Sequence, residues 1–522
     1  MKIKIVSVFL SICLVTPFVY SAIPTQPSIA WMPSNIESGV NITVTWNMWW
    51  GENGNEWTLY DNNQIHCEGS VPTNGRNAQS GQCTSNFVAG THVLTVDLCN
   101  ADGCTRSNPL TFTVENGATE DPTDPSDPTD PPSDDCGIQP KPDGGYTLCQ
   151  SDLDATEAAI TDTELYRLVK DSIQTLNNDA VERVRPSRAD NPDNVKRVER
   201  LLSQADWNYL FALADPAYNY TRFLQAVAKF KGFCATYDDG RDSDAICRKS
   251  LATMFAHFTQ ETGAHILSSP VDEYRQGLYY LREVGCTEGG SGCGYNAECN
   301  PATWQGKTWP CGTQPDGSFK QYFGRGAKQL SYNYNYGPFS EVIYGDVSVL
   351  LNHPDRVADS WLNLASAVFF FVTPQAPKPS MLHVIDGTWE PNAHDRSLNI
   401  EKGFGATTNI INGGIECGTA SGVEKQQSKN RITYYKAHAA YLGVPVPDDE
   451  ALGCANQGRF EVQGAGGMLI YWDQDWAYHP NNPEGASFAC KLVGYQTAYS
   501  ALIPGNYRQC VEHYFDVDII EP

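Results

Sequence analysis

The chain is short of positive charge. Lysine and arginine number 36 against 61 aspartates and glutamates, a net charge of −25 at pH 7 over 522 residues. That excess repels nucleic-acid phosphates and anionic membranes, so neither is expected as a partner. It does not oppose a neutral polymer such as a polysaccharide. No apolar run of membrane-spanning length follows the N-terminal one. CxxC clusters with histidines are missing, as is HExxH, so no metal centre is expected. There is no Walker or dinucleotide glycine fingerprint and no βαβ alternation, so no cofactor is expected either.

The first 22 residues read as a secretory leader. Lys2 and Lys4 precede an apolar run from Ile5 to about Val19, and the small residues Ser21 and Ala22 follow. Of 17 cysteines, Cys13 leaves with the leader, so 17 − 1 = 16 remain. An even number in an exported chain points to disulfides. Close pairs are Cys67/Cys83, Cys99/Cys104, Cys136/Cys149, Cys234/Cys247, Cys299/Cys311 and Cys490/Cys510.

Residues 115–135 read "ENGATEDPTDPSDPTDPPSDD", with eight acidic residues and no basic one. Such a tract cannot bury a core and is expected to be an extended spacer. Before it, residues 23–114 read as all-β. In "VNITVTW", Val40, Ile42, Val44 and Trp46 alternate with polar residues, the period of a half-buried strand. "HVLTVDLCNADGC" repeats the pattern and turns between Cys99 and Cys104, and "LTFTV" closes the module. About 90 residues of this kind predict an immunoglobulin- or fibronectin-like sandwich. Trp46 falls on the core face. Trp49 falls on the polar face, either as a stray or as a platform for a sugar ring.

Behind the spacer the chain is mainly helical. Residues 136–204 are read as a helical lead-in, 205–445 as the main domain and 446–522 as its extension. In one helix, Leu251, Met254, Phe255 and Phe258 form a buried stripe, and Glu261 occupies its next position. Burial raises a carboxyl pKa, which suits a general acid. From the stripe alone, a structural glutamate paired with an arginine is the simpler reading. His257, Glu261 and His265 could also face a metal from one helix, but Gly263 is expected to end the helix first. Glu283 lies 22 residues on, about 33 Å away along a continuous helix. Gly263 and "SSPVDEY" break that path, so the chain can fold back and set two carboxylates across a cleft, as glycoside hydrolysis requires.

"FTQETG", "YYLREVGC", "YFGRGAKQLSYNYNYGP", "VTPQAPKPS" and "NIINGGIEC" occur in the order and spacing of glycoside hydrolase family 19, which this region resembles. The family consists of chitinases with a helical, lysozyme-like catalytic domain. The resemblance implies Glu261 as general acid, Glu283 as general base and Ser331 as a holder of the attacking water. It further implies that Gln329, Asn335, Lys378 and Asn412 line the sugar groove, with Trp309, Tyr322 and Arg431 matched more loosely. It implies the disulfides Cys299–Cys311 and Cys417–Cys454. At the front, "PSIAW", "TVTWNMWWGENG" and "LCNADGC" resemble the N-terminal fibronectin-like domain of bacterial chitinase A enzymes, whose exposed tryptophans match Trp31 and Trp49.

Read from the residues, an extended "QLSYNYNYG" would place Ser331, Asn333 and Asn335 on one face to bind sugar or water; a tyrosine-rich structural loop is the alternative. Arg431 would pair with Glu416 or Glu283. Gln260 and Ala264 depart from the family pattern at places that supply neither acid nor base. The expectation is a monomeric, exported endochitinase acting on chitin and chitooligosaccharides. A peptidoglycan-cleaving lysin and a non-catalytic chitin-binding protein are the alternatives. Trp49→Ala should weaken adsorption to insoluble chitin several-fold, the scale of about 0.5–1.5 kcal/mol for one aromatic contact, and spare soluble oligomers. Parallel binding to chitohexaose and crystalline chitin checks this, and equal losses would make Trp49 a core residue.

Overall fold

The computed structural model describes residues 23–29, 36–37, 41–48, 51–72, 78–115, 137–142, 144–288 and 293–521. The leader, Trp31, Trp49, Cys136 and nearly all of the acidic spacer lie outside them. The chain divides into two units, Met1–Pro131 and Pro132–Pro522.

The first unit carries two sheets. One is three-stranded, with Asn41–Met48 between Ser28–Ile29 and Gln79–Asn86; the other centres on Gly90–Asn100. The alternation read from sequence holds: Ile42, Val44, Trp46 and Met48 are buried, as are Leu94, Val96 and Leu98. Trp46 and Trp57 meet in the core at 5.9 Å between ring centroids. Cys99 and Cys104 are register partners across the predicted turn and are bonded.

The second unit is built around the helix Ser243–Thr262. Asp242 caps it, accepting from the amides of Asp244 and Ala245. Every residue from Ser250 to Thr259 is buried, so this stretch of the helix is enclosed on all sides rather than along one stripe. The helix Gln426–Leu442 packs along it, and Phe404–Glu416 packs on Gln426–Leu442. The run "VKRVERLLSQADWNYLFAL" forms two helices, Asp193–Leu201 and Gln204–Leu210, because Ser203 and Asp206 make a capping box between them. "NYNYG" is not extended. It opens the helix Asn333–Tyr344, and Asn333 is buried, donating to the carbonyls of Gln305 and Trp309.

The division of the lead-in and extension is also revised. The main core runs from Val181 to Phe460. A separate core joins Leu148, Leu153, Tyr166 and Val169 to Ile470, Trp472, Phe488, Cys510 and Val511. Its two halves are stitched by parallel pairing of Tyr146–Cys149 with Val517–Ile520. The lead-in and the extension are therefore largely one small module made from both ends of this unit. Seven disulfides join described cysteines: 67–83, 99–104, 234–247, 286–293, 299–311, 417–454 and 490–510. Cys149 is disulfide-bonded as well. Among the described residues no helix is long and apolar enough to cross a membrane.

Candidate active site

The central helix stops where the sequence breaks. A Cβ on Gly263 would lie 2.3 Å from the Thr259 carbonyl oxygen, so glycine alone fits the close approach there. The chain then folds back on the helix end. The Leu278 amide donates to Thr262 Oγ1 at 2.9 Å, and the amides of Tyr279 and Tyr280 donate to the Thr262 carbonyl at 3.0 and 2.9 Å. Gln276, buried, pins the intervening loop by donating to the carbonyls of Ile266 and Val271 and accepting from the Ile266 amide. The next residues bond to the "GRGAKQL" turn: Glu283 N donates to Gly324 O at 2.8 Å and Gly326 N to Leu281 O at 3.0 Å.

Glu283 is fixed at both oxygens. The Tyr295 hydroxyl donates to Oε1 at 2.8 Å and the Gly324 amide to Oε2 at 3.0 Å. Burial, then this hydrogen bond, pushes the Tyr295 phenol up to about 12, so it stays a donor at neutral pH. Gln329 and Tyr332 have φ of +53° and +71°, two sharp reversals that cost about 1–3 kcal/mol each. They turn Ser331 and Asn335 about the same segment. Ser331 Oγ donates to Gln329 O at 2.9 Å, and Asn335 Nδ2 to Ser331 O at 2.9 Å. Gln329 Nε2 donates to Gly326 O at 3.1 Å.

Glu261, 18% exposed, receives Arg431 Nη2 at 2.5 Å. Arg431, 1% exposed, also forks onto Glu416, with Nε to Oε2 at 2.9 Å and Nη2 to Oε1 at 2.8 Å. Asn412 interrupts its helix at φ −150° and donates to Glu416 Oε1 at 2.8 Å. Arg431 Nη1 donates to His257 Nδ1 at 3.1 Å. An arginine only donates, so His257 must carry its proton on Nε2, which lies 3.1 Å from Thr407 Oγ1. Burial, then Arg431 and Lys328, hold this imidazole neutral. The metal reading of His257, Glu261 and His265 thus meets an arginine at the first histidine, and His265 lies past the helix end. Lys378 Nζ donates to Ile410 O at 2.9 Å on the helix bearing Asn412, and burial, then Lys328, lowers it to about 8.

One expectation is corrected, and one pair of alternatives is decided. Burial does push the Glu261 carboxyl up, but Arg431 and Lys328 outweigh it and hold it below the ordinary glutamate value. Arg431 pairs with Glu416 and Glu261, not with Glu283. Two groove assignments are corrected as well. Tyr322 is fully buried, its hydroxyl donating to Leu351 O at 2.6 Å and accepting from the Gly312 amide, so no sugar can reach it. Trp309 is 3% exposed and packs so closely on Gly337 that a Cβ there would lie 2.2 Å from its ring. It borders a cavity of about 790 Å³ shared with the terminal module, whose walls include neither Glu261 nor Glu283.

Lys328 and Tyr295 are site residues that sequence reasoning left without a role. The signal for Lys328 was its place in "GRGAKQL". It lines a small cavity with Glu261 and His257, its ammonium 4.5 Å from the Phe370 ring centroid. The turn Gly324–Leu330 therefore reaches both carboxylates, with the Gly324 amide on Glu283 and Lys328 beside Glu261.

Residues 198–454 match the family described as "Chitinase class I", and residues 34–120 match "Chitinase A, N-terminal domain". "Endochitinase 2" of Solanum tuberosum is 40% identical over 255 residues, 48% of this chain and 70% of that protein. "Endochitinase B" of Nicotiana tabacum is 38% identical over 255 residues, 48% of this chain and 68% of that one. A solved family GH19, class IV chitinase from Zea mays is 27% identical, covering 49% of this chain and 100% of that chain, with a TM-score of 0.32.

A carboxyl with a depressed folded pKa stabilises the fold above its unfolded pKa, and that stability is lost as pH falls through the folded value. Glu261 behaves so because two cations face it. Lys328→Met should therefore raise the Glu261 pKa, read from its side-chain carboxyl shift in a carbon-13 titration. An unchanged value would show that Arg431 alone sets it, and a lower one that Lys328 does not act as a facing charge.

Proposed function

Because the chain belongs to the class I chitinases, the family 19 glycoside hydrolases, we propose that it is an exported endochitinase that cleaves β-1,4 N-acetylglucosamine linkages with inversion. It is a glycoside hydrolase of the chitinase type. Glu261 is the general acid, Glu283 the general base, and Ser331 helps hold the attacking water. The observation that carries this is the pair of carboxylates served by one turn, with opposite electrostatic surroundings. Glu283 takes one neutral donor on each oxygen, which fixes its orientation and leaves each oxygen a lone pair for a water. Glu261 faces a guanidinium whose other side is already neutralised by Glu416.

The resting Glu261 is ionised, so the proton it donates must be taken up before cleavage. Sugar in the groove removes the remaining exposure of Glu261, which favours its neutral form. Glu416 can keep Arg431 paired as Glu261 loses its charge. An inverting enzyme needs room for water, so the two carboxyl groups should stand about 6.5–9.5 Å apart. Gln329 and Asn335 flank Ser331, Lys378 bonds the helix that carries Asn412, and the four are assigned to the groove. The disulfides fit an oxidising compartment, in line with the leader read from sequence.

One-step displacement by water inverts the anomeric carbon, so proton NMR of a fresh chitohexaose digest should show the α-anomer first. Glu261→Gln and Glu283→Gln should each lose at least about 10²-fold in kcat, the lower range for general acid–base catalysis, with oligosaccharide binding kept. A β-anomer as first product would remove the base role of Glu283.

A further inference from the structure

The terminal module lies outside the 198–454 family match and presents a surface that the catalytic reading does not use. Its strands Tyr471–Gln474 and Cys490–Val493 form an antiparallel hairpin. Trp472, fully buried, points into the module core. The opposite face carries the register partners Asp473 and Lys491, and the Tyr495 hydroxyl donates to Asp473 Oδ2 at 2.5 Å. The connecting loop carries Trp476 and Tyr478, each 77% exposed, and Tyr495 is 59% exposed. Two large aromatic rings left in water on one loop mark a binding surface.

The loop is built rather than slack. The Asp475 amide donates to Ala489 O at 3.0 Å, the Ala477 amide to Asp475 Oδ1 at 3.1 Å and Ser487 Oγ to Asp475 O at 2.6 Å. The His479 amide donates to Gly485 O at 2.9 Å, and Asn482 Nδ2 to Ala486 O at 2.8 Å. Gly485 has φ +68°, and a Cβ there would lie 2.0 Å from Tyr478 Cε2. The ring therefore rests on the loop backbone and turns the rest of its surface to solvent. Rings fixed in advance lose little freedom on binding.

The occupant follows from the chemistry. Exposed rings flanked by a carboxylate, an ammonium and amides suit a sugar, whose C–H face stacks while its hydroxyls and amide hydrogen-bond. A neutral polysaccharide meets no repulsion from a chain of charge −25, as an anionic surface would. We propose that Trp476 and Tyr478, on the loop of this hairpin, form a chitin-gripping surface distinct from the catalytic carboxylates that holds insoluble polymer. This rests on the chitin-cleaving reading above.

The test uses the full chain and two substrates. Trp476→Ala and Tyr478→Ala should each weaken adsorption to powdered chitin about fivefold, and the double variant more than about tenfold, the scale of one and two stacking contacts. Tyr478→Phe should adsorb like the parent, because the ring and not the hydroxyl makes the contact. Turnover of soluble chitohexaose should be unchanged in all four variants. Parent-like adsorption of the double variant overturns the proposal. So does a parallel loss of chitohexaose turnover, or a change from oligomer to monomer on gel filtration, which would make the surface a contact between copies. Failure of the parent itself to cleave chitohexaose would instead refute the proposed function.

Discussion

One buried guanidinium organises the site. Arg431 sits in the second long helix of the main domain, 1% exposed, and its nitrogens reach Glu261, Glu416 and His257. A charge in that position is tolerable because two carboxylates answer it and a neutral imidazole accepts its last hydrogen bond. Taking it away would break the buried pair with Glu416 and leave both carboxylates to Lys328 alone, a loss of the order of about 3–5 kcal/mol. The same guanidinium lowers the Glu261 pKa against the pull of burial. Stability and acidity thus both draw on this side chain, and Lys328 adds to the second.

The second carboxylate reaches the site through backbone rather than charge. The spent end of the central helix offers the Thr262 carbonyl and hydroxyl, and the returning chain fills both. That leaves Glu283 beside the "GRGAKQL" turn, which Arg325 anchors. Arg325 is 1% exposed and pairs with Glu288, with Nη2 to Oε2 at 2.7 Å. The glycines flanking it serve distinct purposes. Gly324 gives its amide to Glu283, and Gly326, at φ +73°, makes the reversal that brings Lys328 toward Glu261.

Much of this was legible in the chain. Period-two runs gave the strands Asn41–Met48 and Gly90–Asn100 because a half-buried strand must alternate. A period-3.6 run gave the helix Ser243–Thr262, and the break at Gly263 followed from local chemistry. "NYNYG" misled because alternating polar and aromatic residues also fit a helix start, where Asn333 satisfies loop carbonyls. Tyr322 and Trp309 misled because an aromatic residue in a motif reads alike whether it stacks on a ligand or fills the core.

The sequence by itself determined the elements, the acidic spacer, the close disulfide pairs and the two carboxylates, since each depends on neighbours within a few residues or on a motif read in line. Only the tertiary structure decided which arginine contact wins, that Glu261 rests ionised beside Lys328, and that residues 146–149 and 517–520 pair as strands of one module. Those outcomes hang on distances between residues far apart in the chain. The balance between desolvation and a facing charge changes sign over a few ångströms that no linear spacing records.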